Sequence, residues 1–334
     1  MPRDNEDSGE YKMKAKRLKG LILAAVAVAA VVAAAVHIVP MARDRSRNVS
    51  QGRQWAGLLR KHPSFSGKLP AYPVETKFHY AAPADENLRK LRDTYHLDEV
   101  AGRGPETDRI ISLMSWVYRL TGHANEPEIP KELNALNLIP LAQEKNMAMN
   151  CAMKTIILNE VYLAMGFESR QTHLWPAENE DEESHYITSV FSRTLGRWIM
   201  MDPDFGVHVT NEEGAILGIS EIRRRLVAGK PLVVKPVDPP PNFLARARSN
   251  VRDFIDGTSY LWYLRKNIFK VECPQNSLFN QRAKPNRLHF QLIPDGYREE
   301  LLQGPKITEN GYTVIFMNDE GSFWQRPNEV LADR

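Results

Sequence analysis

Apolar residues recur at three- and four-residue steps in parts of the chain, which predicts amphipathic helices. In the segment 106–120, Ile110, Met114 and Val117 form an apolar stripe along one face of the predicted helix. In the second such segment, Gly166 follows the last apolar residue and is placed to end the helix. In chain order, the predicted helices cover residues 106–120, about 150–165 and 220–228.

Alternation of apolar and polar residues predicts β-strands separated by turn residues. These strands cover residues 184–192, 197–202, 287–293 and 312–317. The first two enclose a turn at residues 193–196, so they form an antiparallel hairpin. With the turn centred near Thr194, His185 and Asp202 are cross-strand neighbours within one residue of register, whereas an alternative register brings Asp204 closer.

Residues 21–39 are apolar except for His37, and such a run is long enough to cross a bilayer as a helix. The preceding residues are rich in lysine, which favours a cytoplasmic N-terminus and a main domain outside the cytoplasm, in the periplasm or at the cell surface. A cleaved signal peptide is the rival interpretation, because Ala33 and Ala35 offer a processing site and the protein would then be secreted. A buried apolar helix of a cytosolic protein is a third.

The pattern divides the chain into five parts, of which the last two belong to one folded domain. They are a basic cytoplasmic N-terminus (1–19), a transmembrane anchor or signal (20–40), a polar juxtamembrane stalk (41–83), a core (84–235) and a β-rich C-terminal extension (236–334).

Composition excludes several classes of protein. With 334 residues, 43% hydrophobic and 25% charged, the chain can build a sizeable core. A formal net charge of +3 gives no indication of a nucleic-acid partner. The only two cysteines, Cys151 and Cys273, exclude a disulfide scaffold, although one bridge between them would consume a reactive thiol.

Three residues in one segment suggest thiol chemistry. Cys151 falls at a predicted helix N-terminus, which stabilises a thiolate and offers N–H donors to an oxyanion. His185 and Asp202 then supply a base and a carboxylate that orients it. Taken singly, each has a plainer interpretation: a buried cysteine, a strand histidine and a turn aspartate.

Four separated features resemble the transglutaminase-like superfamily of papain-like thiol enzymes, in its membrane-anchored extracytoplasmic bacterial branch. They are Cys151 opening a helix, the Gly166–Arg170 segment after that helix, His185 opening a strand and Asp202-Pro203 ending the next strand. The chain departs from the pattern in having Asn150 where many members have glycine, and Asp204 where many have threonine.

The resemblance implies an α+β fold, in which a helix carrying the cysteine packs on an antiparallel sheet carrying the histidine and aspartate, after one N-terminal transmembrane helix. It implies a Cys151–His185–Asp202 triad that acts on a peptide or protein substrate without a cofactor. The reaction would be hydrolysis or the transamidation of a transglutaminase. For the oxyanion it implies the Cys151 N–H and an upstream side chain, for which Gln143 is the candidate.

Other interpretations stay open at the level of sequence. The same cleft could belong to a catalytically silent, membrane-tethered module that binds peptide or glycan, or the chain could be a structural envelope protein. His173, in a predicted loop, is a rival base, and the acidic run 178–183 either selects basic substrates or is a solvated loop. No metal-binding spacing joins the cysteine and histidine residues, so no metal is predicted.

Overall fold

The computed structural model describes residues 52–65, 67, 70, 74–178, 183–237 and 258–327. From Gln54 onward these residues belong to one compact unit. The helices are α1 (52–61), α2 (Glu86–Thr94), α3 (Leu97–Ala101), α4 (Glu106–Leu120), α5 (Ala135–Lys145), α6 (Cys151–Ala164), α7 (Ile219–Ala228), α8 (Thr258–Asn267) and α9 (Glu320–Phe323). The strands are β1 (His79–Tyr80), β2 (Ser169–Trp175), β3 (His185–Ser192), β4 (Arg197–Met201), β5 (Val207–Thr210), β6 (Val233–Pro236), β7 (Lys270–Pro274), β8 (Asn276–Ser277), β9 (Leu288–Leu292), β10 (Lys306–Ile307) and β11 (Thr313–Met317).

A seven-stranded sheet in the order β10-β11-β9-β7-β2-β3-β4 forms the centre of the unit. Its strand pairs are antiparallel except for β11 and β9, which run parallel. The C-terminal extension contributes four of the seven strands, so core and extension share one sheet. The fold is therefore of the mixed α+β class, as predicted.

Helix α6 packs on β2 and β3 and is buried from Met153 to its last residue. Asn150 caps its start, because the side-chain oxygen accepts a hydrogen bond from the N–H of Met153 at 3.1 Å. Gly166 ends it with φ of +80°, a conformation that glycine adopts without steric cost. Both ends lie where the sequence predicts them, and Cys151 is the first helical residue.

The β3–β4 hairpin has a register one residue away from the predicted one. Thr188 pairs with Met201, which places Asp202 immediately after the last paired residue of β4. The chain turns there at Pro203, so Asp202 leaves the ladder at the end of the sheet near the start of β3. His185 is the first residue of β3, and the two side chains therefore meet.

The predicted stalk 41–83 overlaps the compact unit from residue 54 onward, where Leu59 and Phe78 are buried. Arg170 of β2 holds part of this segment in place. Its guanidinium lies 3.6 Å from the Phe78 ring centroid, and its Nε donates to the hydroxyl of Tyr80 at 2.7 Å. Planar stacking and directed N–H groups suit arginine for such a buried site.

The apolar run 21–39 lies outside the described residues. Among those that the structure does describe, no helix combines the length and apolar character needed to cross a membrane.

Candidate active site

The structure brings Cys151, His185 and Asp202 together at one end of the sheet. His185 Nε2 lies 2.6 Å from Asp202 Oδ2, and Cys151 is close enough to His185 to interact with it electrostatically. Because Asp202 occupies Nε2, Nδ1 is the ring nitrogen left for the sulfur. His185 and Asp202 are buried, whereas Cys151 is partly exposed, so Cys151 is the member of the group that borders on solvent.

Asp202 accepts hydrogen bonds on both carboxylate oxygens. Besides His185, Oδ2 accepts the hydroxyl of Tyr260 at 2.9 Å. Oδ1 accepts the backbone N–H of Asp204 at 3.0 Å and of Phe205 at 3.1 Å. Since the side chain is fully buried, these donors take the place of water and hold the carboxylate in one orientation towards the imidazole.

The surroundings of His185 favour its charged form. Burial lowers the pKa of His185, but the Asp202 carboxylate and the electrostatic interaction with Cys151 outweigh it and raise the pKa well above its ordinary value. The rings of Phe205 and Tyr263 lie 5.3 Å and 5.2 Å from the imidazole and limit its rotation. An imidazolium beside a sulfur is the arrangement that stabilises a thiolate.

The first turn of α6 supplies N–H donors beside the sulfur. The first backbone N–H groups of a helix have no acceptor within the helix. The N–H of Met153 donates to the side-chain oxygen of Asn150. Within the described residues, the backbone N–H groups of Cys151 and Ala152 have no hydrogen-bond acceptor. Gln143, the predicted second oxyanion donor, is an exposed residue of α5. Its role as an oxyanion donor stays a prediction.

Asp204 has its own partners, distinct from those of His185. Its Oδ1 lies 3.0 Å from Lys154 Nζ, and both side chains are 2% exposed. His123 Nδ1 lies 2.9 Å from the same oxygen and its Nε2 lies 2.8 Å from Asn125 Oδ1. Burial raises the pKa of Asp204, but His123 and Lys154 reverse this and lower it. The alternative in which Asp204 takes the place of Asp202 is therefore not what the structure shows.

His173 lies on strand β2, so its assignment to a loop is wrong. It is buried between the rings of Tyr186 and Trp175, at centroid distances of 3.8 Å and 3.9 Å, and its Nε2 lies 2.7 Å from Ser184 Oγ. Burial lowers the pKa of His173 to about 3, which leaves it neutral near pH 7. Its hydrogen-bonding partner is a hydroxyl, whereas that of His185 is a carboxylate.

The second cysteine is remote from this chemistry. Cys273 is fully buried on β7, with its Sγ 3.4 Å from Thr172 Oγ1, and burial raises the pKa of its thiol to about 11. Both cysteines are free thiols in the structure, so the alternative of a bridge between them is not observed.

The acidic run 178–183 lies partly outside the described residues, which resume at Glu183. The Glu183 carboxylate oxygen Oε2 lies 2.8 Å from Lys266 Nζ. Within the described ranges, no group of three or more histidine, cysteine, aspartate or glutamate side chains is arranged to hold a metal ion.

The sequence interpretation did not assign roles to Tyr260, Lys154 or His123. Tyr260 is 58 residues from Asp202 along the chain, and His123 is 81 residues from Asp204. Lys154 carried a usable signal, because a lysine three residues after Cys151 in an otherwise apolar helix indicates a buried partner.

Comparison with known proteins does not identify a family for this chain. No family model matches the chain, and none of the curated proteins matches it. One solved structure is similar, that of a putative cysteine protease from Cytophaga hutchinsonii, with 13% identity and a TM-score of 0.29. The match covers 51% of this chain and 55% of that protein, about half its length. At this level of similarity the neighbour assigns neither a family nor an activity to the chain.

Proposed function

We propose that the protein is a thiol-dependent acyltransferase of the transglutaminase-like type that cleaves amide or peptide bonds. The observation that carries the proposal is the proximity of a partly exposed Cys151 to His185, whose Nε2 lies 2.6 Å from the buried Asp202. A nucleophile, a base and a group that orients the base are the parts that acyl transfer through a thioester needs.

In the proposed mechanism, His185 takes the proton of Cys151 and the sulfur attacks the substrate carbonyl carbon, forming a C–S bond. The N–H groups at the start of α6 stabilise the charge that develops on the carbonyl oxygen. His185 returns the proton to the leaving amine as the C–N bond breaks, which leaves a thioester. Water activated by His185 hydrolyses the thioester; an amine in its place would give a cross-link.

Hydrolysis is the preferred outcome, since water is always present at an open site. Attachment to a membrane through residues 21–39, with the folded unit outside the cytoplasm, is part of the proposal and rests on the apolar run of the sequence.

The test is the alkylation of the full-length protein by iodoacetamide between pH 6 and pH 9, measured at each cysteine by mass spectrometry. We expect Cys151 to react at pH 6, where the buried Cys273 does not. His185→Ala should lower the rate at Cys151 at pH 6 on the order of a hundredfold, the scale of one proton-transfer group. His173→Phe, which removes the rival base but keeps an aromatic ring, should leave the rate close to that of the wild type.

Slow labelling of Cys151 that is indifferent to His185→Ala would refute the enzymatic proposal. The alternative function, a peptide- or glycan-binding module using the same cleft, would then be preferred. One observation favours it: Gln143, the only side chain predicted for the oxyanion site, is exposed on α5.

A further inference from the structure

A cavity lies beside the helix that begins with Cys151. It is small and partly open to solvent, and its lining includes Ile156 and Asn159 of α6, Gln171 of β2, and Gln281 and Arg282 of the segment after β8. Gln171 joins the cavity to the site, because its Nε2 donates to the backbone carbonyl of Ala152 at 2.9 Å. The cavity therefore adjoins the first turn of α6.

The cavity lies more than one helical turn along α6 from Cys151. Ile156 is five residues beyond Cys151, which corresponds to about 7 Å along the helix axis. An extended peptide rises about 3.3 Å per residue, so this axial separation corresponds to about two residues of a bound peptide.

Arg282 brings a positive charge to this cavity. Its guanidinium carbon lies 5.4 Å from the centroid of the Tyr186 ring, next in sequence to His185, and the side chain is partly exposed. No carboxylate of the described residues forms an ion pair with it within 4.0 Å. A guanidinium in a partly dry cavity binds carboxylates with two parallel N–H donors.

Two carboxyl groups, on α6 and β7, already have hydrogen-bonding partners. Glu160 lines the cavity, but its two oxygens accept the backbone N–H groups of Ala135 at 2.6 Å and Asn280 at 2.8 Å. Glu272 accepts hydrogen bonds from His289 at 2.8 Å and from Gln291 at 2.8 Å. A further buried acceptor, Gln281 Oε1, has no hydrogen-bond partner in the described structure and is available to an N–H group of a ligand.

From these contacts we infer that the cavity binds an acidic residue of the substrate, one or two positions from the carbonyl that Cys151 attacks, and that Arg282 selects it. The inference rests on the proposed function, which identifies Cys151 as the point of attack. It specifies the substrate as a peptide carrying a glutamate or aspartate side chain near the bond that is cleaved.

The test uses two pairs of reagents on the full-length protein. Bromoacetyl-Glu-amide is compared with bromoacetyl-Gln-amide, and bromoacetyl-Gly-Glu-amide with its Gln counterpart, by the second-order rate of labelling at Cys151. In at least one pair the Glu reagent should react about tenfold faster, the scale of one hydrogen-bonded ion pair. Arg282→Gln should bring the ratio close to one, while Arg282→Lys keeps part of it.

Arg287→Gln is the matched control. It removes the same charge five residues away, where the guanidinium lies 5.3 Å from the Tyr312 ring centroid, and it should leave the ratio unchanged. A wild-type ratio near one in both pairs, or a preference that survives Arg282→Gln, would overturn the inference. Rapid labelling without charge preference would do so while leaving the proposed function intact.

Binding separates the two proposals if Cys151 proves unreactive. Peptides acetyl-Gly-Gly-Glu-Gly-Gly-amide and the Gln equivalent are titrated into the Cys151→Ala protein, with and without Arg282→Gln. Tighter binding of the Glu peptide that is lost with Arg282 would support the cavity as an acidic subsite although the enzymatic proposal had failed. Equal binding of the two peptides would overturn the inference.

Discussion

Lys154 and Asp204 form a buried ion pair, with Nζ 3.0 Å from Oδ1, that joins the helix beginning at Cys151 to the loop beginning at Asp202. The segments that carry Cys151 and Asp202 are therefore joined by this ion pair as well as through His185. This relationship gives Asp204 a structural role, because an uncharged residue at position 204 could not neutralise a buried lysine.

Asp204→Asn should destabilise the protein by about 3–5 kcal/mol, because it leaves the Lys154 ammonium buried without a counter-charge. Urea unfolding measures the difference. The matched control is Asp98→Asn, which breaks an ion pair with Arg92 whose side chains are 37% and 60% exposed. That change should cost less than about 1 kcal/mol. Equal losses in the two variants would contradict the role given to the buried pair.

Tyr260→Phe should lower the alkylation rate of Cys151 and cost about 1–3 kcal/mol of stability, since it removes a donor to the buried Asp202 carboxylate and keeps the ring. The control is Tyr263→Phe, on the same helix, whose hydroxyl donates to the backbone carbonyl of Ser184 at 3.3 Å. It should cost less than about 1 kcal/mol. A Tyr260→Phe protein that is alkylated at the wild-type rate would show that Asp202 does not need this donor.

The free energy of unfolding should fall as pH rises, because Glu160 is protonated in the folded protein up to a higher pH than in the unfolded chain. Burial raises the pKa of Glu160 to about 8, against the lowering effect of the N–H groups of Ala135 and Asn280. Because this pKa lies above the unfolded value near 4.5, the stabilising contribution is complete below pH 4.5 and is lost as pH rises through about 8.

The slope of the unfolding free energy against pH between 5 and 8 tests this, with a contribution of up to about 1.4 kcal/mol per pH unit from one proton. Glu160→Gln should flatten the slope, whatever its effect on stability at one pH. Glu144→Gln, which changes an exposed side chain of α5, should keep the wild-type slope. A slope that Glu160→Gln leaves as steep as before would contradict the protonation of Glu160 on folding.

Arg170→Lys should destabilise the protein by at least about 3 kcal/mol, although it keeps the charge. Lysine cannot stack a planar group against Phe78 and Trp198, which lie 3.6 Å and 4.1 Å from the guanidinium carbon. Arg193→Lys is the control at a side chain that is 65% exposed, where the cost should be below about 1 kcal/mol. A loss at Arg170 as small as that at Arg193 would show that stacking contributes little.

Local sequence signals predicted the elements that carry the candidate site. Helix α4 has the predicted bounds, and α6 begins at Cys151 and ends before Gly166. The β3–β4 hairpin forms around the predicted turn. These elements depend on apolar periodicity, capping residues and turn residues that lie within a few positions of one another. Local elements of this kind can therefore be predicted from the sequence.

The sequence by itself determined that a thiol, an imidazole and a carboxylate would lie at the ends of neighbouring elements. The tertiary structure decided which carboxylate meets His185, because a one-residue difference in register and the turn at Pro203 direct Asp202 to the imidazole and Asp204 to Lys154. It also decided the position of Arg282, which lies 131 positions from Cys151 in the sequence and lines a cavity beside α6 because the segment after β8 packs against that helix. Contacts between residues so distant depend on how the elements pack, and no local pattern of residues encodes them.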